Sequence, residues 1–154
     1  MRSNSCTFAY AMLGLALLGI ADAGYDSYAI YTGQDLWCPP PIDGCNTVAN
    51  SPYARIFGVP LGYLGVMYYV GMAAVAWLLV SAPLWRTLAV VAAAYATLGV
   101  GASAVFFYIQ ASYIHAFCIY CAVSALLTVL ICAASWMHYR RPSAEASRGL
   151  QPAA

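Results

Sequence analysis

Apolar residues come in four long blocks along this chain, separated by short polar interruptions and one longer one. The blocks run from about Phe8 to Ile30, Val59 to Val80, Leu88 to Ile109 and Phe117 to Met137. A hydrocarbon core takes roughly 20 helical residues to cross, and in lipid only a helix or a closed barrel satisfies its own backbone. Each block therefore predicts one membrane-spanning helix. The expected fold is an all-α membrane protein, a four-transmembrane-helix bundle filling residues 1–141.

The longer interruption, residues 31–58, predicts a loop with structure of its own. Gly33, the run Pro39-Pro40-Pro41 and the pair Asp43-Gly44 are turn formers. From Asn46 to Phe57 the apolar positions Val48, Tyr53, Ile56 and Phe57 suggest a short half-helix on the membrane surface, broken by Pro52, that caps the bundle as a lid. Residues 142–154, rich in Ala, Ser, Pro and Gly, predict a disordered tail.

Composition agrees with a membrane setting: 64% of residues are hydrophobic and 7% charged, with no lysine. A net charge of +1 offers no basic stripe for phosphates, which excludes nucleic acid as a partner and leaves the lipid bilayer. The arginines supply the orientation. Arg2, Arg86, Arg140, Arg141 and Arg148 fall on the side of the termini, and only Arg55 falls opposite. Positive residues stay cytoplasmic, so both termini and the tail are expected inside and the loop 31–58 outside, facing periplasm or lumen. Arg2, the following apolar run and Ala21-Asp22-Ala23 also fit a cleaved signal peptide. The run continues through Tyr25, Tyr28 and Ile30, beyond what a secretory segment needs, so a retained first helix is preferred.

Orientation changes the meaning of the six cysteines. Cys6 and Cys132 fall at or within apolar runs, where small buried thiols are common. Cys38, Cys45, Cys118 and Cys121 all gather on the outward side, where disulfides persist. Cys118 and Cys121, three residues apart, share a helical face, and Cys118 stands at a helix N-terminus, which stabilises a thiolate. Two dithiols meeting at one boundary read as a disulfide relay. Two plainer readings stand beside it: small buried residues in a helix, or a zinc site. The six residues between Cys38 and Cys45 exceed the usual ligand spacing of about two to four, so no metal is expected.

Other polar residues near this boundary are candidates for support. His115 precedes Cys118 by three residues and would stabilise its thiolate when protonated, or simply occupy the interface. Asp22 and Asp26 share a face of the first helix; they either handle protons in a cavity or lie solvated among headgroups. Tyr68, Tyr69, Phe106, Phe107 and Tyr108 line a cavity or, by default, form interfacial belts.

Cys38 and Cys45 in a first outward loop, Ser51 six residues after Cys45, the entry Gly58-Val59-Pro60-Leu61 and the motif Cys118-Ile119-Tyr120-Cys121 together resemble the vitamin K epoxide reductase family, from about Phe8 to His138. The resemblance implies a bundle enclosing a quinone of ubiquinone, menaquinone or phylloquinone type, drawn from the membrane pool. It implies that Cys38 exchanges with a thioredoxin-like periplasmic carrier, Cys45 hands electrons to Cys118, Cys121 contacts the quinone, and Ser51 lies at the cavity mouth. Its plainer role is a helix cap beside Pro52.

This chain has Ala125 where the animal enzymes carry a tyrosine, and Leu61 where they carry an asparagine. Two oxygen donors are missing, which favours the bacterial single-domain branch over epoxide reduction. The expected function is a quinone-dependent thiol oxidase of a bacterial inner membrane that passes disulfides to a separate carrier, no thioredoxin-like domain following the bundle here. The alternatives are a vitamin K quinone or epoxide reductase, and a membrane scaffold with structural disulfides. A second quinone-linked disulfide oxidase family also has four spans, but places its C-x-x-C in the first outward loop.

Overall fold

A computed structural model describes residues 2–40, 44–81 and 86–140, with side chains from Thr7 onward. The expected disordered tail, the loop between the second and third spans, part of the proline run, Asp43 and the Cys6 side chain lie outside these residues. Four long helices are present: α1 (Arg2–Thr32), α3 (Leu61–Ser81), α4 (Arg86–Ile109) and α5 (Ile119–Tyr139), with a short α2 (Cys45–Ala49) between the first two. All four long helices are long and apolar enough to cross a membrane, α4 together with the turn that follows it to Ile114. The chain is a multi-pass membrane protein.

The helices form a ring in which α1 packs on α3 and α5, and α4 packs on α5 and α3. Their contact faces are rich in small residues: Ala9, Ala16, Ala76, Ala92 and Ala96 are buried. Lipid is as apolar as a leucine side chain, so helices in a membrane are held by close packing rather than by exclusion of water, and small residues permit it. Tyr69 of α3 shows the consequence. A Cβ on Gly19 of α1 would collide with its ring, and its hydroxyl meets Ser124 Oγ at 2.8 Å and Thr128 Oγ1 at 3.1 Å on α5. One buried side chain ties three helices.

The first helix ends where the loop chemistry says it should. Gly33 takes φ +66°, and the Gln34 N–H donates to the Ala29 carbonyl at 3.0 Å, the closing bond of a Schellman turn. The lid differs from the expected half-helix. Only residues 45–49 are helical; Pro52–Ala54 is a single 3-10 turn, and β1 (Arg55–Ile56) pairs antiparallel with β2 (Val59–Pro60). Tyr53, Ile56 and Phe57 are therefore not on a helix. The reason is turn chemistry: Phe57 at φ 49° and Gly58 at φ 83° form a two-residue hairpin turn with both residues left-handed, and Pro52, without an N–H, starts a new turn rather than continuing the old one.

Candidate functional site

Cys38 and Cys45 are joined as a disulfide with a Cα separation of 6.2 Å. Their segment is held from both sides. Asn46, at the start of α2, brackets Leu36: its Oδ1 accepts the Leu36 N–H at 2.7 Å and its Nδ2 donates to the Leu36 carbonyl at 3.2 Å. Tyr120, from within the C-x-x-C motif, donates its hydroxyl to the Trp37 carbonyl at 2.7 Å, and its ring packs on Tyr25 with centroids 5.2 Å apart. The peptide next to Cys38 is thus pinned to the start of α5.

The two dithiols meet. Cys45 and Cys118 are buried in one apolar cluster with Ala29, Leu36 and Val48, and Cys38 and Cys121 pack against it. Gly44 makes the approach possible: a Cβ there would stand 2.6 Å from the Phe117 carbonyl oxygen and 2.8 Å from its nitrogen. Exposure differs along the set. Cys45 is fully buried and Cys118 3% exposed, while Cys38 is half-buried.

Cys118 stands just before α5 with extended backbone, φ −101° and ψ 125°. Its thiol is held below the ordinary cysteine value, chiefly by a hydrogen bond from Cys121, against the opposing effects of burial and the Asp26 carboxylate. The backbone N–H groups of Cys121 and Tyr120 reinforce the lowering, although neither closes a full cap hydrogen bond. The Cys121 thiol supplies most of the lowering and the N–H groups of the helix start add to it, which makes Cys118 the more acidic, nucleophilic sulfur at the junction.

Cys121, one turn further on, opens onto a cleft of about 310 Å³ between the helices, lined on one side by Val48, Ser51, Tyr53 and Ile56 of the lid. Asp22, Asp26 and Ser51 line it. The two aspartates therefore face the bundle interior, and Asp26 lies so close to α3 that a Cβ at Gly62 would stand 2.6 Å from its carboxylate oxygen. Ser51 donates its hydroxyl to the Val48 carbonyl at 2.7 Å and precedes the 3-10 turn without capping it by a side-chain bond. Tyr68, Tyr69, Phe106 and Phe107 line the cavity too, so the default belt assignment is corrected for them; only Tyr108 points outward, 62% exposed. His115 is exposed, in a left-handed conformation at φ 54°, and is not among the groups acting on Cys118.

Gln110 was not singled out from sequence. It begins a π-turn, Gln110–Ile114, is 2% exposed, and its Oε1 accepts the Cys118 N–H at 2.9 Å. Its only sequence signal is a lone amide at the end of an apolar run, eight residues before Cys118.

A protein-family model described as the vitamin K epoxide reductase family matches residues 10–136. Among curated proteins the chain is similar to a thiol-disulfide oxidoreductase of Arabidopsis thaliana, 34% identical over 113 residues, covering 70% of this chain and 30% of that protein. The chain thus spans less than a third of the length of that relative. By the extent of the family match and the arrangement of its helices and cysteines, this chain belongs to the vitamin K epoxide reductase family.

Proposed function

We propose that the chain is a quinone-dependent thiol oxidase that makes disulfides and passes them to a separate thioredoxin-like carrier. The observation that carries this reading is the gradient of exposure across four neighbouring sulfurs: Cys38 half-buried, Cys45 and Cys118 buried together, Cys121 on a cavity. A carrier thiolate reaches Cys38 first. Its attack forms a mixed disulfide and expels Cys45 as a thiolate beside Cys118. Cys45 then attacks the Cys118 sulfur of an oxidised inner pair, and the electron pair leaves on Cys121. For a two-electron exchange about 30 mV corresponds to about 1.4 kcal/mol, so small differences in potential set the direction of each step.

The cavity suits the acceptor. Its volume is at the lower end of small-molecule sites, about 300 to 1,000 Å³, enough for a flat apolar ring, and its lining is largely aromatic and aliphatic, with polar groups that include Ser51, Asp22, Asp26, Gln110 and Cys121. A bound quinone supplies the oxidation by taking up two electrons and two protons. The aspartates have the position to pass protons along this wall, and the bundle keeps bulk water from the reacting sulfur. The curated relative is named a thiol-disulfide oxidoreductase, which supports thiol exchange as the chemistry. The family match and the cysteine positions support a periplasmic, inner-membrane setting for the carrier reaction.

The test uses purified full-length protein, a reduced thioredoxin-like carrier and a series of quinones followed by absorbance. Cys38→Ala should block carrier oxidation while the Cys118–Cys121 disulfide still forms with quinone. Carrier oxidation at the normal rate by this variant would overturn the relay. Tyr120→Phe removes the hydrogen bond to Trp37, worth about 0.5 to 1.5 kcal/mol, and should slow exchange between the pairs severalfold with quinone KM unchanged. Stopped-flow thiol trapping separates the two. Activity with vitamin K epoxide in the same assay would favour the reductase alternative.

A further inference from the structure

The Gln110 carboxamide can be oriented without ambiguity. The Cys118 backbone N–H can only donate, so the oxygen of the side chain faces it, at 2.9 Å. The NH2 group must then point the other way, and Cys121, which lines the same cavity, is the sulfur it acts on. Gln110 is 2% exposed and lines the same cavity as Cys121. A buried amide costs free energy unless its polar atoms are paired; here the oxygen is paired with the Cys118 N–H, and the NH2 is left for the Cys121 side of the cavity. The π-turn that starts at Gln110 belongs to a class of helix irregularity that is frequent at functional sites.

We propose that Gln110 is a catalytic residue of the thiol-disulfide step, its amide N–H stabilising the Cys121 sulfur as that sulfur leaves as a thiolate. The inference rests on the relay above. In that step the Cys45 thiolate attacks Cys118; the Cys45–Cys118 bond forms, the Cys118–Cys121 bond breaks, and the electron pair goes to Cys121. Negative charge develops on one buried sulfur, and a fixed donor aimed at that atom stabilises the transition state more than the neutral disulfide. The acceptor end of the same amide keeps the Cys118 peptide in place, so the attacked and leaving sulfurs are held by one side chain. The other ionisable groups that act on Cys121 are Cys118, just before α5, and Asp26 on α1, while Tyr120 on α5, Asp22 on α1 and Tyr68 and Tyr69 on α3 line the same cavity; all remain in the variants below.

The test measures the thiol step without quinone. The inner pair of the full-length protein is oxidised with diamide, dithiothreitol is added as electron donor, and reduction of Cys118–Cys121 is followed by maleimide trapping and mass. Gln110→Met, which can neither donate nor accept, should slow this step by about 10- to 100-fold, the range for a charge-assisted hydrogen bond. Gln110→Glu separates the two ends. It still accepts the Cys118 N–H, but donates to Cys121 only while protonated, so its rate should fall away from wild type as pH rises. A glutamate variant that keeps the wild-type rate at all pH values would show that only the acceptor matters and would overturn the proposal. So would a folded methionine variant at the normal rate. If the methionine variant does not fold, the glutamate variant, of equal size, decides alone. Menadione reduction by the wild-type protein is assayed in parallel: its failure would fell the quinone reading, whereas the diamide experiment still judges Gln110.

Discussion

Cys121→Ser should reduce quinone reduction to background and, at the same time, accumulate a covalent Cys45–Cys118 link. The two results come from one cause. Without the Cys121 sulfur no inner disulfide forms, so electrons arriving from the loop pair have no exit. The Cys118 thiol, which keeps the N–H groups of its helix start and finds a serine hydroxyl where the Cys121 thiol stood, is still buried against Cys45. It attacks the loop disulfide, forms the mixed bond and expels Cys38; with no Cys121 to resolve it, the bond persists. Serine is close in size and retains a hydrogen-bonding atom for Gln110, so the bundle should be undisturbed. Peptide mapping without reductant would find residues 45 and 118 in one cross-linked species. Normal quinone reduction by this variant would sink the assignment of Cys121.

Gly44→Ala is expected to slow electron transfer between the loop pair and the inner pair by about 100-fold, the scale of a misplacement near 1 Å between reacting groups. The backbone of Gly44, at φ −76° and ψ 0°, is open to any residue, so the effect is one of space alone. The added methyl would meet the Phe117 backbone oxygen at 2.6 Å and nitrogen at 2.8 Å. Backbone atoms have no rotamer to escape into, so the segment carrying Cys45 must move away from Cys118. Each half should stay competent: dithiothreitol still reduces the loop disulfide, and quinone still oxidises the inner pair. Rapid-quench trapping of the four thiols would show the interruption between them, and an undiminished transfer rate would mean that the close approach of Gly44 is not what sets the handoff geometry.

Much of this architecture was legible in advance, for a simple reason. An apolar run of the length of α3 or α5 has few stable fates in a lipid bilayer, and the spans begin and end within a few residues of the expected positions, apart from the longer N-terminal reach of α1. Cys118 and Cys121 were legible as a pair because their spacing and their place at a helix start are local properties. The lid was misjudged because Tyr53, Ile56 and Phe57 are spaced as on a helix, and the left-handed pair Phe57-Gly58 that makes a hairpin instead is a weak signal when its first member is a bulky aromatic. Gln110 was missed because what distinguishes it is a bond from a backbone N–H eight residues away and a cavity shared with Cys121 of the next helix.

The residue order alone determined that four helices are long and apolar enough to cross a membrane and that Cys118 and Cys121 open the last of them, because solvation by lipid and by water acts on each segment separately. Tertiary structure decided which sulfurs share a pocket, that Asp22 and Asp26 look into a cavity rather than at headgroups, and which side chain holds the C-x-x-C motif. These helices are apolar on nearly all sides, so no periodicity distinguishes the face toward lipid from the face toward a neighbour. That choice is made by packing between helices, at contacts such as Gly19 against Tyr69 and Gly44 against Phe117, where the shape of one segment has meaning only beside another.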